Sequence, residues 1–158
     1  SVEDAPLDFH ARYCAVTKVY RYFIQSQAHP SPFFNRYSYW CKFLLDVRLM
    51  KEASRLLLGT HDFKAFCASG SENKDATRTI KHVSITTANI LSCHMISIEI
   101  EADGFLHNMV RNIVGTLLDV GRGRLSPGSI KKILRKKQRA LAGPCVPAKG
   151  LFLMRVNY

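Results

Sequence analysis

The stretch Leu91-Ser-Cys-His-Met-Ile-Ser-Ile-Glu-Ile-Glu-Ala-Asp-Gly104, followed directly by Phe105-Leu-His-Asn-Met-Val-Arg-Asn-Ile-Val-Gly-Thr-Leu-Leu-Asp-Val120, changes its hydrophobic period halfway along. In the first part Ile96, Ile98 and Ile100 alternate with Ser97, Glu99 and Glu101, which predicts a half-buried strand over about Leu91–Ala102. In the second, apolar pairs recur every four residues (Phe105/Leu106, Met109/Val110, Ile113/Val114, Leu117/Leu118), which predicts a helix with a wide buried face over Phe105–Val120. His107, Asn108, Arg111, Gly115 and Thr116 mark its other side. Strand and helix therefore share one core.

Working outward, Thr77–Thr86 predicts a partner strand, joined to the first by a short turn around Ala88-Asn89. Toward the N-terminus, Phe9 to Gln27 is rich in β-branched and aromatic residues and lacks Pro and Gly, which predicts one long strand. Its alternation sets Lys18 and Tyr20 side by side on one surface, with Val16, Tyr22 and Ile24. After Pro30, Pro32 and an aromatic stretch Phe33 to Phe43, Asp46 predicts an N-cap for a helix buried through Val47, Met50, Ala53, Leu57 and Leu58 and ended by Gly59. His61–Phe66 reads as one further helical turn, and Ser69 to Ala76 as a mobile polar loop.

Toward the C-terminus, Gly121 and Gly123 close the long helix. Ser126-Pro127 then supplies an N-cap and first-turn proline for a helix to about Arg139, with stripe Ile130, Ile133 and Leu134. A linker containing Gly143, Pro144, Pro147 and Gly150 leads to a final strand, Leu151–Asn157. The expected fold class is α+β, one domain over residues 1–158, order β-α-β-β-α-α-β, with a mostly antiparallel sheet and helices on one face.

Composition narrows the function. With 158 residues, 47% of them hydrophobic, the chain can bury a sizeable core. Its 23 Lys and Arg against 12 Asp and Glu give a net charge of +11. The surplus is C-terminal: Arg122, Arg124, Lys131, Lys132, Arg135, Lys136, Lys137, Arg139, Lys149 and Arg155 face no acid in the last 38 residues. Such a field favours a polyanion, nucleic acid first and an anionic membrane surface second. The membrane alternative is weaker, because the stripe of the basic helix is narrow and lacks Trp or Phe. The five cysteines lie 26 or more apart and form no C-x-x-C pair, so neither a disulfide framework nor a zinc knuckle is expected. No apolar run approaches the roughly 20 residues of a membrane span, and the acidic start does not resemble a targeting peptide. A soluble cytoplasmic protein is expected, with an organelle the other possibility, and the start without Met points to a fragment.

Few residues suggest chemistry unaided. Arg111 lies on the polar edge of an apolar helix among short polar neighbours, where a guanidinium can hold a carboxylate bidentately; the plainer alternative is an arginine snorkelling from a surface helix. Tyr20 with Lys18 suits a base-stacking platform beside a phosphate contact, and equally suits sheet packing. Cys67 and Cys93-His94 lack a third residue to orient a nucleophile, and Asp62 and Asp103 read as cap or turn residues. No Walker loop, G-x-G-x-x-G or metal-spaced cluster is present, so no cofactor and no metal are expected.

Five strings in order resemble the TruA-type tRNA pseudouridine synthases: Phe9-His-Ala-Arg-Tyr with Lys18-x-Tyr20-Arg-Tyr22, Leu58-Gly-x-His-Asp-Phe-x-x-Phe66, Arg78-Thr-Ile80, Gly104-Phe-Leu-His-Asn-Met-Val-Arg-Asn-Ile-Val-Gly115, and the tail from Ala142-Gly-Pro through Leu151 to Tyr158. The resemblance implies isomerisation of uridine to pseudouridine in the anticodon stem-loop of tRNA, at positions 38–40, without a cofactor, by a homodimer. It implies that Tyr20 contacts the target base, Arg111 pairs with the catalytic aspartate, and Leu151 packs on the site. Lys18, Arg122, Arg124, Lys131, Lys132, Arg135, Lys136 and Arg139 are the expected RNA contacts. The family's aspartate belongs to a string upstream of Phe-His-Ala-Arg that this sequence does not contain, so the chain is expected to be the C-terminal lobe and inactive alone. The rival expectation is a non-catalytic RNA-binding module on the same scaffold.

Overall fold

A computed structural model describes residues 4–68 and 75–158. Six strands form one mixed sheet: β1 (Thr17–Ser26), β2 (Tyr39–Cys41), β3 (Gly59–Asp62), β4 (Thr77–Ile90), β5 (Cys93–Ala102) and β6 (Leu151–Asn157). Among the described residues three α-helices accompany them: α1 (Val47–Arg55), α2 (Met109–Gly121) and α3 (Ser129–Lys136). The order across the sheet is β2-β1-β5-β4-β3. Strand β6 runs antiparallel to the first part of β1, while β2 runs parallel to its last three residues. The α+β class and the final strand Leu151–Asn157 are as expected from the sequence.

The switch of period at residue 104 builds the core. Ile96, Ile98 and Ile100 of β5 and Tyr22 and Ile24 of β1 are buried, as are Met109, Ile113, Val114 and Leu117 of α2. Each such apolar side chain contributes about 1.5–3 kcal/mol by leaving water. On the other face Arg21 and Glu99 form a cross-strand ion pair, with Arg21 Nε donating to Glu99 Oε2 at 2.9 Å.

Several boundaries differ from the sequence expectation, each for a local reason. The first strand starts at Thr17, not Phe9, because the preceding residues satisfy one another: Phe9 N–H donates to the Pro6 carbonyl, Cys14 N–H to that of His10, and Arg12 N–H to His10 Nδ1. The aromatic stretch contains β2, whose parallel pairing with β1 joins the expected, mostly antiparallel pairings of the sheet. Helix α1 has the expected cap, with Leu49 N–H donating to Asp46 Oδ1 at 3.1 Å, but it ends at Arg55. Gly59, at φ +95°, opens β3 instead of closing the helix, so His61–Phe66 is the end of a strand and a short 3₁₀ turn. Helix α2 begins at Met109, behind a left-handed Asn108, not at Phe105. Helix α3 begins at Ser129 and stops at Lys136, where Lys137 turns left-handed. The expected mobile loop, Ser69 to Ala76, falls mostly on residues 69–74, outside the described residues.

The hairpin turn is also displaced. It lies at Leu91-Ser92, with φ of +47° and +60°, not at Ala88-Asn89. Two successive positive φ values suit Asn-Gly, and each costs an ordinary residue about 1–2 kcal/mol. Replacing Leu91-Ser92 by Asn-Gly is expected to raise stability by about 1–2 kcal/mol in urea unfolding. An unchanged midpoint would show that the tip carries no strain.

Candidate active-site cleft

Strand β1 carries Tyr20 and Tyr22 to the same face as Ile24, at the end of the sheet where α2 begins. A register irregularity sets Val19 opposite Arg155 but Tyr20 opposite Leu153. Bulges of this kind re-aim a side chain. Leu151, the first residue of β6, pairs with Tyr22 and so stands next to Tyr20. Together with Phe105 and Asn108, which precede α2, and Arg111 in its first turn, Tyr20 and Leu151 line a cleft of about 250 Å³. Tyr20 meets Phe105 edge to face, with ring centroids 5.1 Å apart and planes at 89°. Both rings are only half buried, leaving an aromatic wall open to the cleft.

Arg111 is held from two sides. Its Nε donates to the Val146 carbonyl at 2.6 Å, and Nη1 donates to Asn108 Oδ1 at 2.8 Å. Three of its five N–H groups are left, and no carboxylate among the described residues is within ion-pair distance of it. The guanidinium is thus oriented, half buried and short of an anionic partner.

The clamp depends on how the segment 142–150 lies against α2. Gly115 and Gly143 let two backbones meet: a Cβ on Gly115 would stand 1.7 Å from the Pro144 carbonyl oxygen, and one on Gly143 would stand 2.6 Å from the Gly115 carbonyl carbon. A buried polar ladder fixes that contact. Asn112 donates to the Phe66 carbonyl at 2.7 Å and Thr116 to the Asn112 carbonyl at 2.8 Å, while Gly143 N–H donates to Thr116 Oγ1 at 2.8 Å. The carbonyls around Val146 therefore reach Arg111 from a rigid segment.

Tyr22 is fully buried behind the cleft, and its hydroxyl donates to the Pro147 carbonyl at 2.6 Å. Burial raises this phenol far above its ordinary value, outweighing the opposing effect of the Arg111 charge. A raised acid keeps its proton in the folded state, so its share of stability is intact below the unfolded value and is lost as pH rises. Tyr22→Phe is expected to cost about 1–2 kcal/mol at neutral pH. Above about pH 10 that difference should shrink by up to about 1.4 kcal/mol per pH unit, measured by denaturant unfolding. A difference independent of pH would contradict this placement.

The expected RNA contacts divide into two groups. Lys131, Lys132, Arg135 and Lys136 are exposed on α3, and Lys18 is half buried on β1, two residues from Tyr20 on the same face. Arg124 pairs loosely with Asp119 at 3.5 Å. Two others, Arg139 and Arg122, also make contacts within the protein. Arg139 donates to the Gly143 carbonyl and to Asn112 Oδ1, both at 2.8 Å, so it secures the segment that clamps Arg111. Arg122 stacks on Phe43, with 5.1 Å to the ring centroid, and donates to Cys41 Sγ at 3.2 Å. Burial opposes its charge, and Cys41 and Tyr39 more than offset this. Lys137 is tied to Asp62 at 2.8 Å. Partial burial acts against the Asp62 charge, but hydrogen bonds from Lys137 and from the Lys64 N–H outweigh it and hold the carboxyl below its usual range.

Phe105, Asn108, Asn112 and the Val146 carbonyl complete the site although sequence reasoning gave them no role. The one available signal was Asn112, a polar residue on an apolar helix four positions before Thr116. Among the described residues no group of three or more His, Cys, Asp or Glu side chains converges to hold a metal, and no helix is long and apolar enough to cross a membrane.

Residues 53–158 match the family described as tRNA pseudouridine synthase, and the chain belongs to that family. It is 47% identical over 150 residues to the tRNA pseudouridine synthase A of Bacillus licheniformis, covering 95% of this chain and 59% of that protein. It is 44% and 46% identical over 158 residues to the proteins of the same name from Bacillus velezensis and Moorella thermoacetica, covering this chain entirely and 62% of each. The chain spans about 60% of the length of these curated relatives.

Proposed function

We propose that the chain is the C-terminal lobe of an enzyme that isomerises uridine to pseudouridine in the anticodon arm of tRNA, at positions 38–40. The observation that carries this is the cleft in which Tyr20, Arg111 and Leu151 stand together. An extruded base needs an apolar or aromatic wall, which Tyr20 with Phe105 and Leu151 can give. Breaking the glycosidic bond and rejoining uracil through C5 calls for an aspartate that is ionised and fixed in position. A guanidinium anchored by Val146 and Asn108 suits that task, because its unused N–H groups lower the carboxyl pKa and set its orientation. The aspartate itself comes from polypeptide outside these 158 residues. Exposed cations on α3 and Lys18 hold the phosphates.

By resemblance the full-length enzyme is a cytoplasmic homodimer, which sedimentation would test for its assembly. The 158-residue chain is expected to bind anticodon-arm RNA but to form no pseudouridine in it. Turnover by the isolated chain would overturn the assignment of the acid to a missing segment.

A further inference from the structure

The outer face of α1 has no part in the cleft, yet it carries three cations, Arg48, Lys51 and Arg55, against one acid, Glu52. Arg48, Lys51 and Arg55 are all exposed, at spacings of three and four that set them on one side of the helix. They line one depression with Glu52. Arg55 also lines the next, a groove of about 480 Å³, where it faces Lys131 and Arg135 of α3. The two cationic helix faces thus meet at Arg55. The floor of the groove is apolar, formed by Leu56, Leu58 and Leu134, and the Lys137–Asp62 pair ties the end of α3 to β3 beside it. Among the described residues, carboxylates near the α1 cations include Glu52, Asp46 at 3.8 Å from Arg48, and Asp62 in the groove, which is paired with Lys137 at 2.8 Å.

We propose that α1 and α3 form one continuous phosphate-binding track for RNA, running from Arg48 through Arg55 to Arg135. It rests on the RNA-binding function proposed above and extends it to a second element. Cations at successive turns along α1 cover about 10 Å, at 1.5 Å of rise per residue, and the groove then carries the line across to α3. A groove with cationic walls and an apolar floor suits a sugar-phosphate strand, which offers anionic and apolar edges together. An acidic polypeptide would use the charges alone.

The test is tRNA binding by the 158-residue chain, followed by fluorescence anisotropy over a salt series. A triple substitution of Arg48→Gln, Lys51→Gln and Arg55→Gln is expected to weaken binding about tenfold at low salt and to reduce the log–log salt slope by about 2 to 3. Lys131→Gln with Lys132→Gln and Arg135→Gln serves as the α3 comparison, and circular dichroism checks that both variants fold. If the α3 set weakens binding and the α1 set does not, the track is wrong while RNA binding stands. If neither set matters, or the unsubstituted chain does not bind tRNA, both fail. Poly-glutamate competing as well as tRNA, charge for charge, would assign the surface to acidic protein and overturn the track.

Discussion

Arg111→Lys, introduced into the full-length enzyme, is expected to lower pseudouridine formation about a thousandfold, the scale on which loss of one preorganised electrostatic contact acts. A lysine cannot reproduce what the structure gives Arg111. The planar guanidinium spends Nε on Val146 and one N–H of Nη1 on Asn108, and it still has donors for a carboxylate. An ammonium that satisfies either anchor has no fixed geometry left for the acid. Affinity for tRNA should stay within about twofold, because the proposed function pairs Arg111 with a carboxylate of the protein and not with RNA. The readout is pseudouridine content of tRNA after a timed reaction, with binding measured in parallel. Unchanged modification would favour the rival, a module that keeps the scaffold and binds RNA without acting on it.

The largest effect on stability is expected at Gly115. Alanine is ordinarily the better helix residue by about 1 kcal/mol, which alone would make Gly115→Ala stabilising. Here the added Cβ would stand 1.7 Å from the Pro144 carbonyl oxygen and 2.9 Å from its carbon, and these are backbone atoms that no rotamer change can move. The segment 142–150 must therefore lift off α2, breaking the Thr116 and Arg139 hydrogen bonds that hold it. A net loss of at least about 3 kcal/mol is expected. That corresponds to about 6–12 °C in Tm for a domain of this size. Val146 lies on the displaced segment, so Arg111 loses an anchor as well. A Tm equal to or above that of the parent would show that the two backbones are not in contact.

Much of the fold was legible because burial imposes a period. The isoleucines of β5 and the paired apolar residues of α2 could hardly be read otherwise, and the Asp46 cap and the last strand followed from local chemistry. Short or strained features were not legible. The three residues of β2 owe their pairing to β1, and the turn at Leu91-Ser92 runs against the preference of its residues, so Asn89 attracted the turn on paper. In the site, Tyr20 and Arg111 stood out from their own surroundings and Leu151 through family resemblance alone, since nothing local announces that positions 91 and 131 residues from Tyr20 meet it. The contacts that Arg122 and Arg139 make within the protein were not legible, because a sequence counts charges without showing where they point. The roles of Asn108 and Val146 were not legible for the same reason: each depends on the direction of one oxygen.

The target uridine is expected to lie against Tyr20 in the cleft beside Arg111. Placing 5-iodouridine at the modified position of an anticodon-arm RNA and irradiating its complex with the full-length enzyme reads that position directly. The crosslinked peptide should contain Tyr20 or Phe105, and Tyr20→Leu should remove or displace the adduct. A crosslink confined to α1 or α3 and indifferent to Tyr20 would contradict the account.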